Sequence, residues 1–138
     1  MKFDKSLEIA KKWIEKADRD LLSARKLFEE GIYDYALFHA QQAIEKYLKA
    51  FLVSRNRPLR KTHDISWLIE QCAKIDPDFL KLYDIGADEL YPIGIEVRYP
   101  TSTEVLREDI EEAIEIAKKV GKFVKRKIIS IRGDRYGL

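Results

Sequence analysis

Phe3, Leu7, Ala10, Ile14, Ala17, Leu21, Ala24 and Phe28 recur at alternating steps of four and three residues. That rhythm keeps all eight on one stripe of an α-helix and would scatter them over both faces of a strand, so it predicts one amphipathic helix over residues 4–30. A helix with an apolar seam needs other elements to cover it, and the rest of the chain must supply them. Gly31, just past the last periodic residue, provides the left-handed stop that ends such a helix.

The same four-three step returns at Leu106, Ile110, Ala113, Ala117, Val120 and Val124. With Thr101 and Glu104 at capping-box spacing, it predicts a final helix over 102–127. Between the two long helices, Ala36, Ala40, Ala43 and Ala50 mark a close-packing face of a helix over 33–55. A loop with Pro58 follows, and Ile65, Leu68, Ile69 and Cys72 then predict a helix over 64–74, which Asp76-Pro77 breaks because the residue before proline avoids the helical well. Residues 79–90 read as a short helix, and Gly86, Pro92, Gly94 and Pro100 punctuate an irregular stretch up to Pro100. Ile128 to Ile131 is the one β-like run. The expected fold is all-α, an up-and-down antiparallel helical bundle of about five helices: a single domain over 1–128 with a short basic tail over 129–138.

At 138 residues and 46% hydrophobic content the chain can fill one core without staples, and its single cysteine forms no bridge within the chain. No signal segment opens it and no apolar run is long enough for a membrane span, so the expectation is a cytoplasmic protein with no membrane attachment. The net charge of +2 hides a split: residues 118–138 carry eight basic side chains and one acid, and the remainder is acidic by five. A basic end suits an anionic partner, and it suits equally the C-terminal pole of a helix dipole. Abundant Lys and Glu beside one Asn, three Gln and one Cys also fit a thermophile composition.

Chemistry has few places to sit. There is no glycine loop to cradle phosphates, and one Cys with two His builds no structural zinc site, so neither cofactor nor metal is expected. Cys72 falls in the apolar periodicity of its helix and reads as core. A polar stripe remains on the second helix, where His39, Gln42, Lys46 and Lys49 follow three-four-three spacing. It reads either as an anion-binding face or as a solvated surface balanced by Glu45. Beyond that helix, Arg55, Arg57, Arg60, Lys61 and His63 gather positive charge beside Asp64 and a helix start, where free amides favour phosphate. Arg98, between apolar neighbours and next to Tyr99, is either paired with an acid or aimed at a ligand.

These residues give a resemblance. Ala17-Asp18-x-Asp20-Leu21-x-x-Ala24-x-x-Leu27, then Gly31-x-Tyr33-x-x-Ala36-x-Phe38-His39-Ala40-Gln41-Gln42-Ala43-Ile44-Glu45-Lys46-x-Leu48-Lys49-Ala50, resembles the first two helices of the HEPN domain family. Lys61-Thr62-His63-Asp64-Ile65 and Arg98-Tyr99-Pro100 follow in the corresponding order, so the resemblance spans roughly residues 8–125. It implies a five-helix bundle that dimerises with its own copy, binds nucleotide or RNA phosphate, and is often encoded beside a small nucleotidyltransferase in a two-component, toxin–antitoxin-like module. The candidate nucleotide- or anion-binding residues are His39, Gln42, Lys46, Lys49, Lys61, His63, Asp64, Arg98 and Tyr99, and of these His39, Lys46, Lys61, His63 and Arg98 are expected to converge on one cleft.

Many relatives are metal-independent RNases with an Arg-x4-6-His motif. Counting on from Arg98, the histidine positions hold Thr103, Glu104 and Val105, so the motif is not intact. Arg57 and His63 stand at a permitted spacing but in the wrong loop. Two other readings stay open beside phosphate binding. One is an RNase that uses His39 or His63, and the other is a non-catalytic structural dimeric partner.

Overall fold

The computed structural model describes residues 2–90 and 107–136, with side chains over 5–90 and 107–129. Among these residues the chain is all helical: α1 spans Lys2–Glu29, α2 Tyr33–Ser54, α3 Ile65–Ile75 and α4 Arg107–Tyr136, with 3-10 segments at Pro77–Tyr83 and Ala87–Glu89. The up-and-down helical bundle expected from the seams is the fold that forms.

Two left-handed residues set the ends of the first hairpin. Gly31 takes φ 78°, and the Ile32 amide donates back to the Leu27 carbonyl while the Gly31 amide donates to Phe28, which closes α1. Asn56 takes φ 58°, and Arg57 and Asn56 donate in the same pattern to Leu52 and Val53, closing α2. Asparagine is among the few side chains that tolerate that conformation. Contacts from Asp20–His39 near the turn to Ser6–Asn56 at the far end make α1 and α2 an antiparallel pair.

Alanines let the pair approach closely: Ala17 and Ala24 of α1 and Ala36, Ala40, Ala43 and Ala50 of α2 are fully buried. α4 covers the pair antiparallel to α1, with Lys125 on Asp18 and Ile128 beside Leu7. A wedge of three aromatic rings ties α2 to the 3-10 segment and α4, Phe79 lying 4.3 Å from Phe51 and 5.0 Å from Phe123. α3 crosses α2 steeply, since His63 just before it reaches Glu45 while Cys72 near its far end lies against the Leu48 carbonyl.

Three expectations change. The helix expected over 79–90 is two 3-10 pieces, because Gly86 adopts φ 79° and interrupts it. The β-like run Ile128 to Ile131 is helical, and the last helix continues through the expected tail as far as Tyr136. Ile128 is the next step of the four-three seam after Val124 and is buried with it, so core burial overrides the β preference of branched side chains. The capping pair Thr101 and Glu104, and the residues around Pro100, lie outside the described residues. No described helix is long and apolar enough to cross a membrane.

Candidate functional site

α2 is packed on nearly all sides, which forces part of its polar stripe inward. Asp20 of α1, 9% exposed, is the first anchor: one carboxylate oxygen lies 2.9 Å from His39 Nδ1 and the other accepts from Lys46 Nζ at 2.6 Å. A carboxylate only accepts, so Nδ1 carries a proton in this contact.

Glu45, 3% exposed, is the second anchor. Its Oε1 accepts from Lys49 Nζ at 2.8 Å, and its Oε2 accepts from Gln42 Nε2 at 3.0 Å, His63 Nδ1 at 3.1 Å and Gln41 Nε2 at 3.3 Å. Four donors compensate the desolvation of a buried carboxylate that would otherwise be costly. Trp13 of α1 places its ring 5.7 Å from Lys49 Nζ and closes that side. The His63 side chain remains 54% exposed, so this network opens to solvent through its imidazole.

The structure therefore brings His39, Gln42, Lys46, Lys49 and His63 together, although not as the open cationic face the spacing suggested. Each cation leans on a carboxylate of the same chain, and the result is two parallel units, Asp20–His39–Lys46 and Glu45–His63–Lys49. Gln42 stands between them on the helix.

Asp64 is occupied in holding the helix start, since its side chain accepts from the Trp67 amide as the N-cap of α3 and its own amide donates to Thr62 Oγ1. The amide end expected to attract phosphate is thus partly occupied from within. Lys61 is exposed in the connecting loop, and Arg57 lines a separate cleft beside Trp67. Arg98 and Tyr99 lie outside the described residues. Cys72 is fully buried and its thiol is pushed up by that burial, as a core residue's should be.

A third polar cluster went unread in the sequence. Asp18 accepts from Tyr47 Oη at 2.5 Å and from Lys125 Nζ at 3.0 Å, joining α1, α2 and α4. Burial and then the Asp18 carboxylate push the Tyr47 phenol well above its ordinary value. Gly121 makes room for this ring: a Cβ there would stand 2.7 Å from Tyr47 Cζ. Asp18-x-Asp20 was visible as a pair of acids on an amphipathic helix, but nothing local distinguished them from solvated carboxylates.

The HEPN domain family model matches residues 10–127. The chain is similar to TT1696 from Thermus thermophilus, at 29% identity over 86% of this chain and 97% of that one, with a TM-score of 0.68. It is similar also to ST0689, an archaeal HEPN homologue, at 29% identity over the same shares and a TM-score of 0.63. No curated protein matches it.

Proposed function

Because the chain belongs to the HEPN domain family, we propose that it is a nucleotide- or RNA-phosphate-binding subunit that works in the cytoplasm as a homodimer. Its partner is a small nucleotidyltransferase, in a two-component, toxin–antitoxin-like module. The observation that carries the phosphate-binding part is the pairing of two buried carboxylates with two lysines and two imidazoles on one side of α2. A phosphate near that face meets Lys46 already fixed in position by Asp20 and, when the imidazoles are protonated, the outer ring N–H groups of His39 and His63, each held by its opposite nitrogen. Prepositioned donors lose less freedom on binding than mobile surface lysines do.

Salt titration tests it. Each phosphate of a single strand that is neutralised contributes about 0.7 to the log–log slope, so Lys46→Ala should flatten the slope by roughly that amount. Affinity that ignores both salt and Lys46→Ala overturns the assignment. Co-expression with a small nucleotidyltransferase encoded beside the chain should yield one heteromeric species on gel filtration, and separate peaks would remove the pairing.

A second reading, metal-independent RNA cleavage, is favoured by the Asp20–His39 contact alone. In the neutral imidazole, a carboxylate holding the proton on Nδ1 leaves Nε2 to accept one, the arrangement of a general base. EDTA-resistant cleavage abolished by His39→Ala would promote it, and binding without cleavage leaves the first reading in place.

A further inference from the structure

The connection between α2 and α3 has a second side. A cleft of about 490 Å³ opens there, with Arg57, Arg60 and Lys74 among its lining and Leu52, Leu59 and Trp67 as apolar wall. Among the described residues, no carboxylate lines it. That is the opposite of the α2 network, where each cation has an acid. Lys74 donates to the Gln71 side-chain oxygen, a neutral acceptor, at 3.4 Å. Glu70, the next acid along α3, accepts from Tyr83 Oη at 2.5 Å. The Arg60 guanidinium lies 5.0 Å above the Trp67 ring centroid, and the Trp67 backbone is pinned by the Asp64 cap.

Three cations gathered without an acid repel one another, and an apolar wall among them remains wet. A ligand that is both anionic and flat relieves both. We infer that this cleft is a stacking site for an unpaired nucleobase carrying its phosphate. The base lies on the outer plane of the Arg60 guanidinium, which itself lies on Trp67, and Arg57 and Lys74 take the phosphate. Guanidinium planes and aromatic rings are the surfaces on which unstacked bases are held, and a paired base in a duplex offers no free face to them. The choice of a nucleic ligand rests on the phosphate-binding reading above, while the site is a separate one.

The two tryptophans of the chain make the test separable, since Trp13 lies beside Lys49 and Trp67 beneath Arg60. The two indole N–H signals of the 15N-labelled protein are followed during titration with a single-stranded RNA hexamer, the same hexamer annealed to its complement, AMP, and inorganic phosphate. The Trp67 signal should move with the single strand and stay with the duplex. A shift with AMP as well means that a mononucleotide suffices, and a shift with the hexamer only means that a strand is required; both support the site.

Arg60→Lys keeps the charge and removes the stacking plane, so single-strand affinity should weaken about tenfold, the size of one base stack. Unchanged affinity in Arg60→Lys, an equal Trp67 shift with inorganic phosphate alone, or a Trp67 signal still with all probes overturns the inference. If Trp67 stays still while Trp13 responds and binding depends on Lys46, this site fails and the α2 reading stands. If neither indole responds and nothing binds, both fail.

Discussion

Glu45 shows what a residue's spacing could not reveal. In the sequence it is one acid among lysines, and its plain reading is charge balance on a wet face. In the fold it is the buried acceptor of four donors, one of which, His63, comes from beyond the end of its helix. That long-range contact has no local signature, so the partnership was illegible although both residues were singled out. Glu45→Gln should lower stability by about 3 kcal/mol, because Lys49 would be left nearly buried beside a neutral amide. Adding Lys49→Met should recover much of the loss in denaturant titration; a double variant no better than the single would mean that the pair is not the source. A second prediction concerns the tyrosines. Tyr83, pushed up to about 12 by burial and then by Glu70, is held neutral in the folded state. A group whose folded value is raised gives stability that is intact below the ordinary phenol value of 10.0 and is lost as pH climbs towards about 12. Tyrosinate absorbance should therefore lag in that window, and Tyr83→Phe should remove the component that titrates towards about 12 while the still later one of Tyr47 remains.

At the scale of elements, the long helices were legible because their seams repeat for many turns, and their ends were legible where Gly31 or Asp76-Pro77 supplied a local stop. The 3-10 pieces were not, since apolar spacing over a few residues cannot separate a short α-helix from a tighter turn, and the break depends on Gly86 turning left-handed. Asp64, expected among the binding residues, also serves as the N-cap of α3. Asp64→Ala should cost about 1 kcal/mol in thermal unfolding and Asp64→Asn much less, because asparagine also caps. Gly121 in the middle of α4 is explained only by tertiary packing. Alanine there gains about 1 kcal/mol of helix propensity but pushes into the Tyr47 ring, so Gly121→Ala should be a net loss of about 1–2 kcal/mol. Tyr47→Leu removes the ring atoms that Cβ would meet, so in that background Gly121→Ala should cost much less; equal costs in both backgrounds would mean that the contact is not responsible.

For the whole molecule, the apolar seam of α1 is covered from within, since Ala10, Ala17, Leu21 and Ala24 are buried against the chain's own helices, so the homodimer that the resemblance implies needs another surface. What remains is narrower. A groove of about 320 Å³ between α1 and α4 is lined by Leu7, Ala10, Ile14, Ile128 and Ile129, and Ile9 and Ile129 are 43% and 41% exposed. Glu15, Lys11 and Lys125 also line it, so both signs of charge are present on one face. A two-fold interface must be complementary to itself, and a face carrying an apolar strip with an acid and two lysines meets that condition, since each copy can offer its Glu15 to a lysine of the other. Light scattering at micromolar concentration should therefore return twice the 16.2 kDa chain mass. Ile129→Asp should shift the population towards single chains, because it sets a new charge in the apolar strip beside Glu15, and Ile129→Leu should leave the mass doubled. A mass near 16.2 kDa for the unaltered chain would discard the homodimer, and a doubled mass that survives Ile129→Asp would move the interface to another face.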